Sequence, residues 1–562
     1  MSGLLTRCLR QYADRLLLRV AECPGASRMH SYRGGDLLQA VDLVRRLNLP
    51  PDARVVLLLL PHSPELFLLQ IGLVLGGKIP AVLPWPTTRV DGEKYQRNLL
   101  HQLGNLPADH LVTLPRLAEN LESLLSFPVT GFPIGNHASF DGMFAARLRD
   151  APTGVRPCAS PPLPDDVLFL QFSGGTTGTQ KCIVVTEKML EEQISRLRGA
   201  LHPADDACVV SWLPLYHDMG LIACLYFPLI TGIPSVHFAA SDWLLKPELL
   251  FQFIETYKGS LCWLPNFAFS YLAQRKDSML GAYSLGHMRA WINCSEPVRE
   301  RSFREFAGRF DSWGVPRESL QACYAMAENV FAVTQSAGSG PATVERSKVA
   351  GVASVDSPKA FELLDEVFVS SGRCLAGMNV RISAPDGACC PELETGEIQI
   401  SSACIFGGYW SQDGFARASF TDDGWYRTGD LGFTQGEDLY VIGRIKDIII
   451  VAGQNVFPED VELIASQASG VQAGRVVAFG VDNDELGTQS IAVVAEMAGE
   501  FDAGRAGQIE QEVRRLLIAS LGMAPRHVSI VPRRWVVKST AGKISRRDTR
   551  SRFLAAERAG IA

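Results

Sequence analysis

Between positions 173 and 181 the chain reads Ser-Gly-Gly-Thr-Thr-Gly-Thr-Gln-Lys. Gly174, Gly175 and Gly178 let the backbone approach a ligand closely and turn its N–H groups toward it. Ser173, Thr176, Thr177 and Thr179 add hydroxyl donors, and Lys181 adds a positive charge. This is chemistry for holding phosphate, with a polar hairpin turn as the competing reading. It is not a Walker loop, because Gln180 stands where that motif needs glycine before its lysine. Apolar runs at Val167–Phe172 and Cys182–Val185 flank the loop, so it is expected to join two strands rather than to open a helix.

The rest of the chain must supply a frame for that loop. Its 562 residues are 47% hydrophobic and 20% charged, which is a globular composition with ample core and the mass of three to four domains. A formal charge of −6 with scattered Lys and Arg argues against a nucleic-acid groove. The 13 cysteines include no CxxC pair and imply reduced thiols in a cytoplasm. The N-terminus does not read as a signal peptide, and no apolar run is long enough to span a bilayer.

A helical pattern over Leu37–Leu47, a strand at Arg54–Leu60, a buried helix at Ser63–Leu75 and a strand at Ile79–Leu83 follow one another. This rhythm predicts a parallel sheet covered by helices. Thr186 is a candidate cap for a helix through Leu201, and Leu221–Ile230 reads as a buried helix. Further strands are expected at Cys208–Leu213, Ser235–Phe238, Gly259–Leu264 and Met288–Cys294. From about Val369 short β segments with Gly and Asp turns take over, and from about Asp447 strand and helix alternate again. The expected class is α/β: a large N-terminal part of layered parallel-type sheets with helices and a small β-barrel-like part, then a small α+β C-terminal part.

Seven stretches stand in one order: QFSGGTTGTQK (171–181), LPLYHDMGLI (213–222), NCSEPV (293–298), CYAMAEN (323–329), GWYRTGDLGF (424–433), YVIGRIKDIIIVAGQNVFPEDVE (440–462) and STAGKISRR (539–547). Together they resemble the adenylate-forming superfamily of acyl-CoA synthetases, peptide-synthetase adenylation domains and fatty acyl-AMP ligases. The resemblance implies that a carboxylic acid and ATP give an acyl-adenylate and pyrophosphate, and that the acyl group then passes to a thiol. By resemblance, Ser173–Lys181 closes over the β- and γ-phosphates and Glu328 binds Mg²⁺. Tyr324 stacks on adenine, Ser295 and Glu296 run along its edge, and Asp430 and Arg444 hold the ribose. Lys543 is the main catalytic candidate, bridging the carboxylate and the α-phosphate as a compact point charge. His217 joins the catalytic candidates, either lining the acyl site or shaping its wall. The resemblance divides the chain into 1–445 and 446–562, with a hinge at Lys446 about which the second part rotates between half-reactions.

Within the superfamily, Tyr216–Leu221 and Asn293–Val298 look most like the fatty acyl-AMP ligase branch. So does the long interval from Glu328 to Gly372, where an insertion near 338–368 would restrict domain movement and disfavour CoA. An ordinary surface loop with a helix at Ser357–Leu364 is the alternative there. The implied thiol is the phosphopantetheine of an acyl or peptidyl carrier protein. An acyl-CoA synthetase, a stand-alone amino- or aryl-acid adenylation enzyme and a non-catalytic relative remain open. Gly174, Gln180, Cys182 and Ala325 depart from the family's usual residues, which bears on the identity of the acid. Trp212, Leu221–Leu225 and Trp263–Phe269 are the apolar residues expected around an acyl chain, or else plain core.

Overall fold

The computed structural model describes residues 3–558 apart from 27, 86–94, 96–98, 101, 104–105, 107, 123–124, 126–127, 135–162, 164–165, 174–180, 276–281, 339, 352–366, 412–413, 418, 452–453, 484–487 and 539–543. The Gly174–Thr179 part of the phosphate loop, the Ser357–Leu364 helix and Lys543 therefore lie outside the described residues.

The run Val55–Leu59 shows how the frame is built. All five residues are buried. Val56 and Leu58 point into one core, while Val55, Leu57 and Leu59 point into a second. A strand covered on both faces needs a continuous apolar run, which is why no polar alternation marks it. It pairs in parallel with Ile79–Val82 and with His110–Thr113. The connecting helix Pro64–Leu75 starts at Ser63, whose hydroxyl accepts from the Leu66 N–H at 3.2 Å, with Pro64 in its first turn.

The same sheet continues from Ile79–Val82 to Val167–Phe172, and there changes character. Val167–Phe172 and Cys182–Thr186 form an antiparallel hairpin, and Tyr409–Ser411 adds alongside with Trp410 opposite Cys182. The two strands predicted to flank the loop are thus present and paired, at the point where a parallel sheet turns antiparallel. Thr186 caps the next helix, Glu187–Leu201, its hydroxyl accepting from the Met189 N–H at 3.3 Å.

A second sheet, of thirteen strands among the described residues, carries the other half of the frame. Its parallel centre runs through Val209–Ser211, Leu261–Leu264, Ala290–Cys294 and Leu320–Ala325. Beyond Leu320–Ala325 it turns antiparallel, through Ala332–Gln335 and the two-residue strand Arg373–Cys374 into Asp438–Arg444 and Tyr426–Gln435. The β-rich segments after Val369 are therefore joined to the parallel sheet by hydrogen bonds. The expected helix after Pro214 is present in an unusual form. Met219–Tyr226 is a π-helix, which passes into the α-helix Phe227–Thr231. A Cβ on Gly220 would lie 2.2 Å from the Pro214 carbonyl oxygen, so only glycine allows this tight entry.

The last part of the chain has its own core. Val471–Asn483, Thr488–Met497 and His527–Val531 form a three-stranded sheet, covered by the helices Pro458–Ala465, Ala503–Leu521 and Arg546–Arg558. Phe457 leaves that unit to pack in a cluster with Val344, Val349, Phe368, Phe433, Tyr440 and Ile442. Beside it Asp460 forms ion pairs with buried Arg346 and, at 3.5 Å, with Arg299. The described ends of the 338–368 interval, Thr343–Glu345 and Val367–Val369, pair as a small antiparallel sheet at this contact.

Candidate active site

The hairpin, the end of strand Leu320–Ala325 and the strand Tyr426–Gln435 bring together residues far apart in the chain. Ser173 and Lys181 close the hairpin: the Ser173 N–H donates to the Lys181 carbonyl at 3.0 Å, and the Lys181 N–H donates to the Ser173 hydroxyl at 3.3 Å. Ser173 is buried and Lys181 exposed. The Lys181 Nζ sits 4.2 Å from the centre of the Tyr409 ring, a cation–π contact.

Glu328 lies in the 3-10 turn Ala327–Asn329 that follows Leu320–Ala325. Its Oε1 accepts from the Tyr409 hydroxyl at 2.5 Å, and Tyr409 and Tyr426 are hydroxyl to hydroxyl at 2.9 Å. Burial, then the Glu328 charge, raises the Tyr409 phenol far above its ordinary value, so it is a neutral donor.

Tyr324, Asp430 and Arg444 form a second chain. The Tyr324 hydroxyl donates to Asp430 Oδ2 at 2.6 Å, and Arg444 Nε is 3.1 Å from Asp430 Oδ1. Asp430 and Arg444 face each other as register partners across the antiparallel strands Tyr426–Gln435 and Asp438–Arg444. Burial first, then the Asp430 charge, lifts the Tyr324 phenol well above its usual range, while Asp430 holds the Arg444 guanidinium still more firmly charged. Asp430 is 6% exposed. A carboxylate has about four lone-pair sites, so two neighbours leave capacity for two more donors.

Ser295 follows strand Ala290–Cys294 and takes a left-handed backbone, with φ 73°. Glu296 does something the sequence did not suggest: its Oε2 accepts from the Phe267 N–H at 3.0 Å, in the first turn of helix Asn266–Ala273. A carboxylate at a helix N-terminus satisfies an otherwise unpaired donor and suits the helix dipole. Its side chain is a helix anchor, and Asn266 Oδ1 adds to the brace by accepting from Asn293 at 2.8 Å and the Arg299 N–H at 3.2 Å.

His217 is half-buried on the turn before the π-helix. Its N–H donates to the Pro214 carbonyl at 3.2 Å and its ring lies 4.8 Å from that of Tyr216. Trp212, Leu221–Leu225, Trp263 and Phe269 are buried, with Trp212 stacked face to face on Trp243 at 4.1 Å. They are packed side chains of the main core.

Lys446 is exposed in the 3-10 turn Ile445–Asp447, where the chain leaves the large sheet. Partial desolvation of its amine, then the nearby Arg444 charge, lowers its pKa. Lys538 and Ile544 form an isolated antiparallel bridge. Three residues after Lys543, Arg546 donates to Asp447 Oδ2 at 3.0 Å, Glu459 Oε1 at 3.1 Å and Glu462 Oε1 at 2.9 Å. Tyr409, Tyr426 and Arg546 escaped the sequence reading. The glycine-flanked aromatic pair in Gly407-Gly408-Tyr409-Trp410 is the signal for the first.

One cation and one carboxylate meet at Tyr409, and a carboxylate with spare acceptor capacity meets a guanidinium nearby. Glu328 keeps Oε2 clear of Tyr409, as a hard divalent cation shared with phosphates would need. The donor set fits a nucleotide triphosphate with Mg²⁺.

This fold is that of an adenylate-forming enzyme. Residues 40–410 match the family described as AMP-binding enzyme, and the chain belongs to that family. It is an adenylate-forming ligase, and its reaction is the adenylation of a carboxylic acid with ATP. The long-chain-fatty-acid–AMP ligase FadD32 of Mycolicibacterium smegmatis is 28% identical over 447 residues, 70% of each chain. The medium-chain-fatty-acid–[acyl-carrier-protein] ligase JamA of Moorena producens is 28% identical over 410 residues, 69% of this chain and 68% of that one. A fatty acyl-adenylate ligase from L. pneumophila, solved with acyl adenylate and pyrophosphate, superposes with a TM-score of 0.67 at 24% identity, covering 98% of this chain and 96% of that one. The McyG A-PCP structure with phenylalanyl-adenylate superposes at 0.79 and 20% identity, covering 100% of this chain and 83% of that one. Among the described residues, no helix is long and apolar enough to cross a membrane.

Proposed function

We infer that the chain is an acyl-AMP ligase that charges a carrier protein with a fatty or other simple acyl acid. In the first half-reaction a carboxylate oxygen attacks the α-phosphorus of ATP, the bond to the β-phosphate breaks, and pyrophosphate leaves. In the second, the deprotonated phosphopantetheine thiol attacks the acyl carbon and AMP leaves. Negative charge gathers around the phosphorus in the first transition state, so positioned cations and donors lower that barrier.

Lys181 and the Ser173–Thr179 loop hold the departing phosphates. Tyr324, Ser295 and the backbone at Glu296 border the adenine, and Asp430 with Arg444 takes the ribose hydroxyls. Glu328 is the ligand for Mg²⁺, which when bound neutralises phosphate charge. Lys543 bridges carboxylate and α-phosphate, and rotation at Lys446 of residues 446–562 withdraws it for the thiol step. His217 borders the acyl acid.

The observation that carries the choice of a simple acid over an amino acid is the position of Asp218. Its Oδ1 accepts from the Met219 N–H at 2.8 Å, at the start of the π-helix. That carboxylate caps a helix, a structural role that needs no substrate ammonium. The names of FadD32 and JamA support the acyl class and the carrier. Acid-dependent exchange of pyrophosphate into ATP, measured across fatty, aryl and amino acids, tests the substrate class. Exchange is expected with fatty acids. Exchange confined to amino acids overturns the reading, and efficient acyl-CoA formation in place of acyl-carrier overturns the partner.

A further inference from the structure

Tyr409 stands where two parts of the phosphate machinery meet, and neither part is near it in sequence. Its strand, Tyr409–Ser411, is held against the hairpin by Trp410. That side chain is 4% exposed and packs in the second core with Cys182, Val184 and Phe172. Neighbouring side chains on a strand point to opposite faces, so burying Trp410 turns Tyr409 the other way, toward Lys181 and Glu328. The edge of the Phe406 ring, 4.8 Å away, braces it.

A phenol has one proton to give. Tyr409 gives its proton to Glu328 Oε1 at 2.5 Å, so its oxygen can only accept from Tyr426 at 2.9 Å. The result is a directed chain, Tyr426 to Tyr409 to Glu328, in which each bond polarises the next. It fixes the rotation of the carboxylate and leaves Oε2 for a cation. The face of the same ring holds the Lys181 ammonium at 4.2 Å. A flexible four-carbon side chain is thereby ordered before any phosphate arrives.

We propose that Tyr409 is a positioning residue of the adenylation half-reaction: its hydroxyl orients Glu328 for the divalent cation, and its ring holds Lys181 at the phosphate end of the nucleotide. The proposal rests on the reading of Glu328 and Lys181 given above. Tyr426 acts through Tyr409 and has a weaker effect in the same direction.

The experiment compares two ligands by calorimetry. AMP lacks the β- and γ-phosphates, while α,β-methylene-ATP with Mg²⁺ carries them and cannot break at the reacting bond. For Tyr409→Phe the affinity for α,β-methylene-ATP is expected to fall about tenfold, as for a lost hydrogen bond to a charged group. Its Mg²⁺ requirement rises with it, while AMP affinity stays within about twofold. Tyr409→Leu, which also loses the ring, weakens α,β-methylene-ATP a further few-fold, and Tyr426→Phe about threefold. In pyrophosphate exchange, KM for ATP and the Mg²⁺ half-saturation should rise more than kcat falls. A parallel loss for AMP and α,β-methylene-ATP, or no change in either, overturns the proposal. Should Tyr409→Phe lower the melting temperature markedly, Tyr426→Phe provides the same comparison. Failure of the functional reading looks different: wild-type protein would then bind neither ligand.

Discussion

The charges around Tyr409 and the charges around Arg546 serve opposite ends. At the first, Lys181 is exposed, Arg444 is 43% exposed, and Glu328 commits only one oxygen to Tyr409. These charges are held in place but left with capacity. At the second, Arg546 is 16% exposed and its guanidinium is spent on Asp447, Glu459 and Glu462. Burial lifts the Glu462 carboxyl to about 7 against the pull of Arg546, while the surrounding carboxylates keep Arg546 charged. The charges of the first set are oriented and keep some capacity. A charge that must hold two segments together is satisfied in full. The difference also explains the use of arginine at the second place: its planar fork reaches several carboxylates at once, whereas Lys181 offers a point charge on a mobile stem.

That contrast can be broken by substitution. Arg546→Met would leave Asp447, Glu459 and Glu462 crowded without a counter-ion. The expected loss is about 3–5 kcal/mol, read by denaturant unfolding of the C-terminal unit. A loss below about 1 kcal/mol would place Arg546 with the weak surface pairs instead. Lys543→Ala should behave in the reverse sense. Pyrophosphate exchange should fall about a hundredfold or more, transfer from preformed acyl-adenylate should persist, and the melting temperature should hold. Equal exchange by the variant would remove Lys543 from the reaction.

Lys181→Met sharpens the comparison at its other side. KM for ATP should rise about tenfold with unfolding free energy unchanged within about 0.5 kcal/mol, because the residue is exposed. A large stability loss would mean that its contact with Tyr409 is structural.

The last prediction is a slope in pH, from a histidine that belongs to neither cluster. His237 is fully buried, its ring 4.7 Å from that of Phe67. Burial, then the neighbouring His62, depresses its pKa to about 3 from 6.5. Below 6.5 the unfolded chain takes up a proton that the folded ring refuses. Stability is therefore lost as pH falls from about 6.5 toward 3, at about 1.4 kcal/mol per unit from this group. His237→Gln should flatten that part of the stability profile relative to wild type in acid-denaturation scans. An unchanged slope would mean that the ring is protonated in the fold.

Much of the frame was legible because it is written in short-range patterns. The apolar run at Val55–Leu59, the Ser63-Pro64 start and the Thr186 cap depend on neighbours within a turn or a strand, and each forms the expected element. Of the residues that the sequence proposes for the nucleotide, Tyr324, Asp430 and Arg444 come together, as do Ser173 and Lys181. The hydrogen bond from the Phe267 N–H to Glu296 was not legible, because that partner N–H comes from another helix. The helix after Pro214 is legible as buried, but its π geometry is not, since apolar residues on every side leave no period to measure.

The sequence alone determined several of the strands, among them Val55–Leu59 and Val167–Phe172, where two of the helices start, and that a glycine- and hydroxyl-rich stretch ending in Lys181 lies between two strands. These follow from local sterics, hydrogen-bond capping and the period of burial. Only the tertiary structure decided that Tyr409 reaches Glu328 across 81 residues, Tyr324 reaches Asp430 across 106, and Arg546 reaches Glu462 across 84. Such pairs depend on the order in which strands are laid into the sheets, and a side chain carries no mark of the partner that this order will bring to it.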